Sequence, residues 1–558
     1  ALRTLESGGP DDRFWLIRAG ASWEPAVSGD AALVAEAVRR TEATPAGADL
    51  AAEIERAGSI LAGEPDGRAR EIHVLSDLQA TGLVRIPAVD QAPPIIALDP
   101  GTAAPANLGL ADIQVGGGLP PRSGERSTIA ATVTTSSPAD DPGDEGRTPD
   151  SVAVRLVLDG AVRAAATVVP GATVILPFPA RPAGVVAGRV ELDADALTDD
   201  DRRHFVAHVT PPPSVGLTEP QPFLMEAVGV LVDAGRIRRA APANAEIVIA
   251  PGALGAEAVR QGRGVVVLPP ASVLELAASN QRLATAGIPW RFAPPTPGEA
   301  RIMPEAGDLG EVLREARLRQ TYPLERQGAP GDSTLLRLLD GEPWAVVGEL
   351  PSGGRYVLLG TPLTPEGGTI PTSETMLPLL DRAISAWATA GADPAELVPG
   401  DVVTLPAGDS LVGPADPARQ AGRARIVAPV PAGTVHRLTE TGLYRLVRDG
   451  ETVAAYAVNP PASESDLTRV SPDRLGDLLT GREVTVAGAG AWEEAIYLQR
   501  VGREISWPLA LLALLALVVE SALAAAGRGA PRTGRASAVA AAPTEQIRTA
   551  SGEAAEAV

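Results

Sequence analysis

The sequence predicts a multidomain chain of α/β and all-β modules: a first α/β (Rossmann-like) domain, an immunoglobulin-like β-sandwich, a second α/β domain, a small β-domain and a C-terminal transmembrane helix. Three observations predict it. The 558 residues suit about three or four domains. Helical and extended patterns alternate in two stretches, while alternating short strands dominate between and after them. One apolar run follows near the end.

Composition narrows the chemistry. Hydrophobic residues make up 45% and charged residues 21%, an ordinary globular balance. The net charge of −21 argues against nucleic acid as a partner. All 48 basic residues are Arg and Lys is absent, which excludes Schiff-base and Walker-type lysine chemistry. Cys is also absent, removing disulfides, thiolate catalysis and Cys-ligated metals. Four His leave little for a histidine metal centre.

The first module, 1–98, contains a strand at 13–18, a helix at 31–40, a helix capped by Asp49 and running to about Ala62, a strand at 71–75 and a strand at 94–98. Strand–helix–strand alternation predicts a parallel sheet with its ligand edge at the carboxyl ends of the strands, where Ser76 and Asp77 fall. Residues 99–212 read as the sandwich, with Asp159-Gly160 as its strongest hairpin signal and 139–150 as an exposed loop. Pro211-Pro-Pro213 marks a linker. The second α/β unit, 213–395, resembles an amidotransferase-type module, yet it contains neither Cys nor His. Residues 396–461 return to β signals. Residues 462–504 read as a juxtamembrane helix and linker, with Ser471-Pro472 opening a short helix. The span is placed at 505–527, with Trp507 at its entrance, Glu520 inside and Arg528 after it. A disordered tail, 528–558, follows.

Two local patterns require weighing. Gly408-Asp409-Ser410-Leu411 spells a lipase-type signature, but the only later histidine is His436, and Ser410 needs a base to act as nucleophile. A turn is the better reading. His204 and His208 have the spacing of a helical metal pair. On a strand, however, they lie about 13 Å apart, so two exposed strand histidines are expected.

With these residues in place, the chain resembles the bacterial aerotolerance-operon (Bat-type) membrane proteins with a von Willebrand factor A-like domain. The resemblance is carried by Glu71-Ile-His-Val-Leu-Ser-Asp-Leu-Gln79, Asn107-Leu-Gly-Leu-Ala-Asp112 and Gly354-Arg-Tyr-Val-Leu-Leu-Gly360. It continues in Gly442-Leu-Tyr-Arg445, Ala457-Val-Asn459, Glu464-Ser-Asp-Leu467 and the terminal apolar run. It implies a missing upstream segment bearing anchor helices and an Asp-x-Ser-x-Ser strand. It also implies that Asp77 aligns with the remaining carboxylate of a metal-ion-dependent adhesion site, which would take Mg²⁺. Ala48 stands where that site usually has Thr. The expected function is therefore a non-enzymatic, membrane-anchored scaffold of the bacterial envelope, with the inner-membrane bilayer and other envelope proteins as partners and no cofactor. The bulk of the chain is expected outside the cytoplasm. The alternatives are a membrane-tethered hydrolase using Ser410 and a Mg²⁺-dependent ligand-binding protein using Asp77.

Overall fold

The computed structural model describes residues 1–65, 67–85, 93–101, 104–136, 149–303, 308–327, 333–388, 396–414, 426–478, 484–501 and 506–526. It divides into two units, residues 1–495 and 496–558.

Local chemistry sets the first elements. Helices Ala31–Arg39 and Leu50–Ala62 start at Asp30 and Asp49, whose carboxylates accept from Leu33 N and Ala52 N, each at 2.9 Å. These side chains satisfy amides that a helix end leaves open. The strand Phe14–Leu16 does not join a parallel sheet as expected. It forms an antiparallel pair with Val27–Gly29, because a short connection lets the nearest extended segment capture it. The parallel sheet comprises Ile72–Val74, Ile95–Asp99 and Val484–Gly488, with Ile95–Asp99 at its centre. Residues read as linker therefore supply an edge strand. Val470 and Leu475 join Ile54, Ile72, Leu83 and Ile95 in the same core. Trp492 extends the attachment: its Nε1 donates to Thr4 Oγ1 at 2.9 Å, and its ring meets His73 edge-on.

Two antiparallel sheets follow. One orders Asn107–Val115, Ser127–Ser136 and Thr173–Phe178. The other orders Arg202–Val209, Gly184–Glu191, Val152–Leu158 and Ala161–Val168. Alternate residues of both enter one core containing Leu110, Val133, Leu156, Leu176, Val190 and Phe205. This is the period-two burial of a sandwich. Asp159 and Gly160 both have positive φ, 53° and 74°, as the tightest hairpin turn requires.

A seven-stranded sheet orders Arg238–Arg239, Ser214–Leu217, Ile247–Pro251, Gly264–Leu268, Arg355–Leu359, Pro343–Glu349 and Ser333–Arg337. The first five strands are parallel and the last two antiparallel. Ile247, Ile249, Val266 and Val357 face one core, whereas Val248, Val265, Val267 and Leu358 face another. Burial on both faces explains the unbroken apolar runs in these strands. Helix Pro222–Asp233 covers the first face and Leu276–Ala286 the second. The helix Met376–Arg382 passes directly into a π-turn, Ala383–Trp387.

A final β body pairs Val402–Leu405 with Thr434–Arg437. It also orders Ile426–Val427, Ser410–Val412, Gly442–Arg448 and Glu451–Val458 in a four-stranded sheet. Leu405, Leu411, Val430 and Leu446 fill its core.

The predicted fold class is corrected in two respects. The chain is built mostly from β-strands, distributed over nine mostly small sheets among the described residues, with helices in the minority. In addition, no helix among the described residues is long and apolar enough to cross a membrane, so the C-terminal transmembrane helix is not supported. The apolar segment does form one continuous helix, Ser506–Ala526, in which the charged Glu520 divides the apolar sequence. The unbroken run 509–519 rises only about 16 Å, against about 30 Å of hydrocarbon. Trp507 and Glu520 are exposed on that helix. Arg528, the ends of the predicted span at 505 and 527, most of the 139–150 loop and the expected disordered tail lie outside the described residues.

Candidate functional site

Asp77 follows the strand Ile72–Val74, at its carboxyl end. Its Oδ1 accepts from Ser76 Oγ at 3.2 Å and Gln79 N at 3.5 Å, while Ser76 Oγ accepts from Leu78 N. The turn holds Leu78 at a φ of 59°. A distant segment lies along it: Ala80 N donates to Thr468 O, and Val470 N donates to Leu78 O. Glu464 arrives with that segment, and its carboxyl is held above the usual range by burial and then by the charge of Asp77. A Cβ on Gly47 would stand 3.1 Å from Glu464 Oε1, so the 46–48 loop closes on the same place. Ala48 brings a methyl group where an adhesion site needs a hydroxyl. Asp77 is spent on its own turn, and among the described residues the group of three acids within reach of one ion lies elsewhere. These residues do not fit a Mg²⁺ centre.

Ser410 begins one strand of the last β body, and its strand neighbour across the sheet is Val447. His436 sits in the separate two-stranded sheet, opposite Val403. The preceding Gly408 and Asp409 donate their amides to Val430 O and Val447 O, and Asp409 Oδ2 accepts from Asp449 N at 2.6 Å. The lipase-like signature is thus part of a sheet turn. His204 and His208 occupy the strand Arg202–Val209. Both are half-buried rather than exposed, and burial, then the charges of Arg189 and Arg202, lowers the pKa of His204 to about 4. Its backbone N donates to Asn459 Oδ1 at 2.7 Å, and Asn459 Nδ2 donates to His204 O at 2.9 Å.

The strongest cluster of titratable groups went unremarked in the sequence: Asp195, Asp200 and Asp201 offer carboxylate oxygens that all lie within 4.8 Å of one another. The acid-dense stretch Asp193–Asp201 was the available signal. Asp200 and Asp201 are only 4% and 3% exposed. Burial raises both acids, Asp201 to about 6 with help from Asp195's charge. Asp195 is positioned by amides: Leu108 N donates to Oδ2 at 2.7 Å and Leu197 N to Oδ1 at 2.9 Å. Asp201 Oδ2 accepts from Asp195 N at 3.3 Å. Asp200 Oδ2 accepts from Asn107 Nδ2 at 2.8 Å. Gly109 makes this approach feasible, since a Cβ there would lie 2.4 Å from both Asp200 Oδ2 and Ser465 Oγ.

Buried polar contacts also join the successive bodies. Arg122, 2% exposed, donates from Nη1 to Thr210 Oγ1 at 2.7 Å and from Nη2 to Ser385 Oγ at 2.5 Å. Ser385 Oγ donates to Asp381 Oδ1 at 2.6 Å, and Arg236 Nε donates to Asp381 Oδ2 at 2.9 Å. Burial, then Arg236's charge, lowers Arg122 to about 10. Arg203 reaches Leu110 O and pairs with Glu396, and Asn107 Nδ2 also reaches Ser465 O at 3.0 Å.

No protein-family model and no curated protein matches this chain. Two solved structures of the CARDB domain of the PF1109 protein from Pyrococcus furiosus are similar to part of it. The crystal structure, described as in complex with di-metal ions, is 16% identical, with 20% of this chain and 97% of that chain covered and a TM-score of 0.15. The solution structure is 14% identical, with 19% and 97% covered and a TM-score of 0.14. Likeness at this level carries no argument about the site.

Proposed function

We propose that this chain is a non-enzymatic scaffold of the bacterial cell envelope, built to present protein-interaction surfaces at fixed relative positions. The observation that carries the reading is the set of buried polar joints between bodies, Arg122 to Ser385 and His204 to Asn459. Such contacts specify one arrangement because leaving either partner unmatched in the interior costs more than the bond contributes. The placement of Ser410 and His436 in different sheets and the lack of Cys and Lys agree with a role without turnover. The envelope assignment draws on the Bat-type resemblance.

The test is in-cell crosslinking of the full chain beside a hydrolase screen with ester, peptide and glycan substrates. The expected result is a reproducible set of crosslinked envelope proteins, unchanged in Ser410→Ala, with no turnover. Turnover lost in Ser410→Ala, or a chain recovered solely as an uncrosslinked monomer, would overturn the proposal.

A further inference from the structure

We infer that Asp195, Asp200 and Asp201 form a calcium-binding site on the sandwich, with Asn107 at its wall. Two oxygens bound to one Ca²⁺ at 2.3–2.6 Å lie at most about 5 Å apart, and the three carboxylates meet that limit. The second observation concerns buried atoms with nothing to bond. Asp200 Oδ1 and Asp201 Oδ1 are enclosed and have no hydrogen-bond partner. So is Oδ1 of Asn107, a residue 2% exposed on a different strand, whose amide already touches Asp200 through Nδ2.

A buried acceptor without a donor costs free energy, and a buried carboxylate costs more. Several such oxygens in one place therefore call for a positive centre. Among the described residues no salt bridge supplies it. The nearby Arg203 guanidinium is directed to Leu110 O, Pro460 O and Glu396; Arg202, whose charge is the smallest of the influences on Asp201, is exposed, and the Ser465 hydroxyl beside Asp200 is neutral. The donor set, all oxygen and acidic, suits a hard cation. The two enclosed acids leave little room for the water shell Mg²⁺ retains, so the larger and geometrically tolerant Ca²⁺ is favoured. Asp195 and Leu108 make the consequence local: the cation would fix the carboxylate that holds the start of the Asn107–Val115 strand.

The experiment uses the full chain, stripped with chelator and titrated with calcium chloride at neutral pH by calorimetry, with Asp200→Asn and Asp201→Asn as near-isosteric variants. Hydrogen exchange of peptides covering 107–112 and 192–203 is followed with and without calcium. The expected result is one calcium per chain, at least tenfold weaker in either variant. Exchange in those peptides should slow about tenfold when calcium is ten times its dissociation constant. The exchange measurement on wild type decides the matter even where a variant does not fold. No heat with no added protection, binding unchanged in both variants, or magnesium bound as tightly as calcium would each overturn the inference.

Discussion

Arg122 Nη2 lies 2.5 Å from Ser385 Oγ, joining a residue just before the sandwich strand Ser127–Ser136 to the π-turn at the end of helix Met376–Arg382. Ser385 Oγ in turn donates a hydrogen bond to Asp381, which also accepts from Arg236. The hydroxyl links the Arg122 guanidinium to the Asp381 carboxylate, which lies between the two arginines and offsets their repulsion. π-Turns often mark functional positions in helices. Here the wider turn presents the serine that makes the joint.

Replacing Ser385 by Ala should destabilise the joint by about 1–3 kcal/mol, because Arg122 loses a buried partner. Combined with Arg122→Met, the two changes should be non-additive by at least about 0.5 kcal/mol. Urea unfolding of the four chains of the cycle measures this. Simple additivity would show that the contact is energetically idle.

Asn459→Ala removes both hydrogen bonds to the backbone of His204. Loss of about 1–3 kcal/mol is expected. Faster amide exchange should appear at His204 and in the Glu451–Val458 strand, while the seven-stranded sheet stays protected.

His204 should make the sandwich acid-sensitive. Its folded pKa, about 4, lies below the unfolded value of about 6.5, so folding opposes its protonation. The stability associated with neutral His204 is fully present above about pH 6.5 and is lost as pH falls toward about 4. Asp200 works in the opposite sense, since burial raises it and ionisation at higher pH costs stability. The comparison is therefore wild type against His204→Gln across this window. The wild type should lose stability more steeply on acidification, and parallel curves would refute the assignment.

Gly109→Ala should destabilise by about 1–3 kcal/mol through overpacking. The added methyl meets Asp200 and Ser465 at 2.4 Å. Thermal unfolding of this variant beside Gly124→Ala separates crowding from backbone effects, because Gly124 has open space but a φ of 81°.

Features governed by neighbours in sequence were legible in it. The Asp159-Gly160 hairpin, the Asp49 cap and the buried strands Ile247–Pro251 and Gly264–Leu268 depend on turn chemistry, capping and apolar runs. Features requiring a distant partner were not. Residues 13–18 look like a sheet strand, yet nothing local reveals pairing with Val27–Gly29. The apolar run near the C terminus reads as a span even with Glu520 inside it, whereas no helix among the described residues is long and apolar enough to cross a membrane. Asp77 was singled out for its place at a strand end, but its surroundings depend on Glu464, 387 residues further along the chain. The cluster of Asp195, Asp200 and Asp201 lies within one local acid-dense stretch, but its burial against Asn107 and Gly109 depends on a distant strand.

The pairing of Val484–Gly488 with Ile95–Asp99 also sets a schedule. One side of the Ile95–Asp99 strand has no partner until the ribosome has added about 390 further residues, roughly 20–80 s at ~5–20 residues per second. In topological terms the sandwich, the seven-stranded sheet and the last β body are guests inserted into a host that closes after them. During that wait Ile95 and Ile96, fully buried in the finished protein, border an open edge of the kind that recruits stray strands. A nascent chain halted before residue 484 is left with that edge for good.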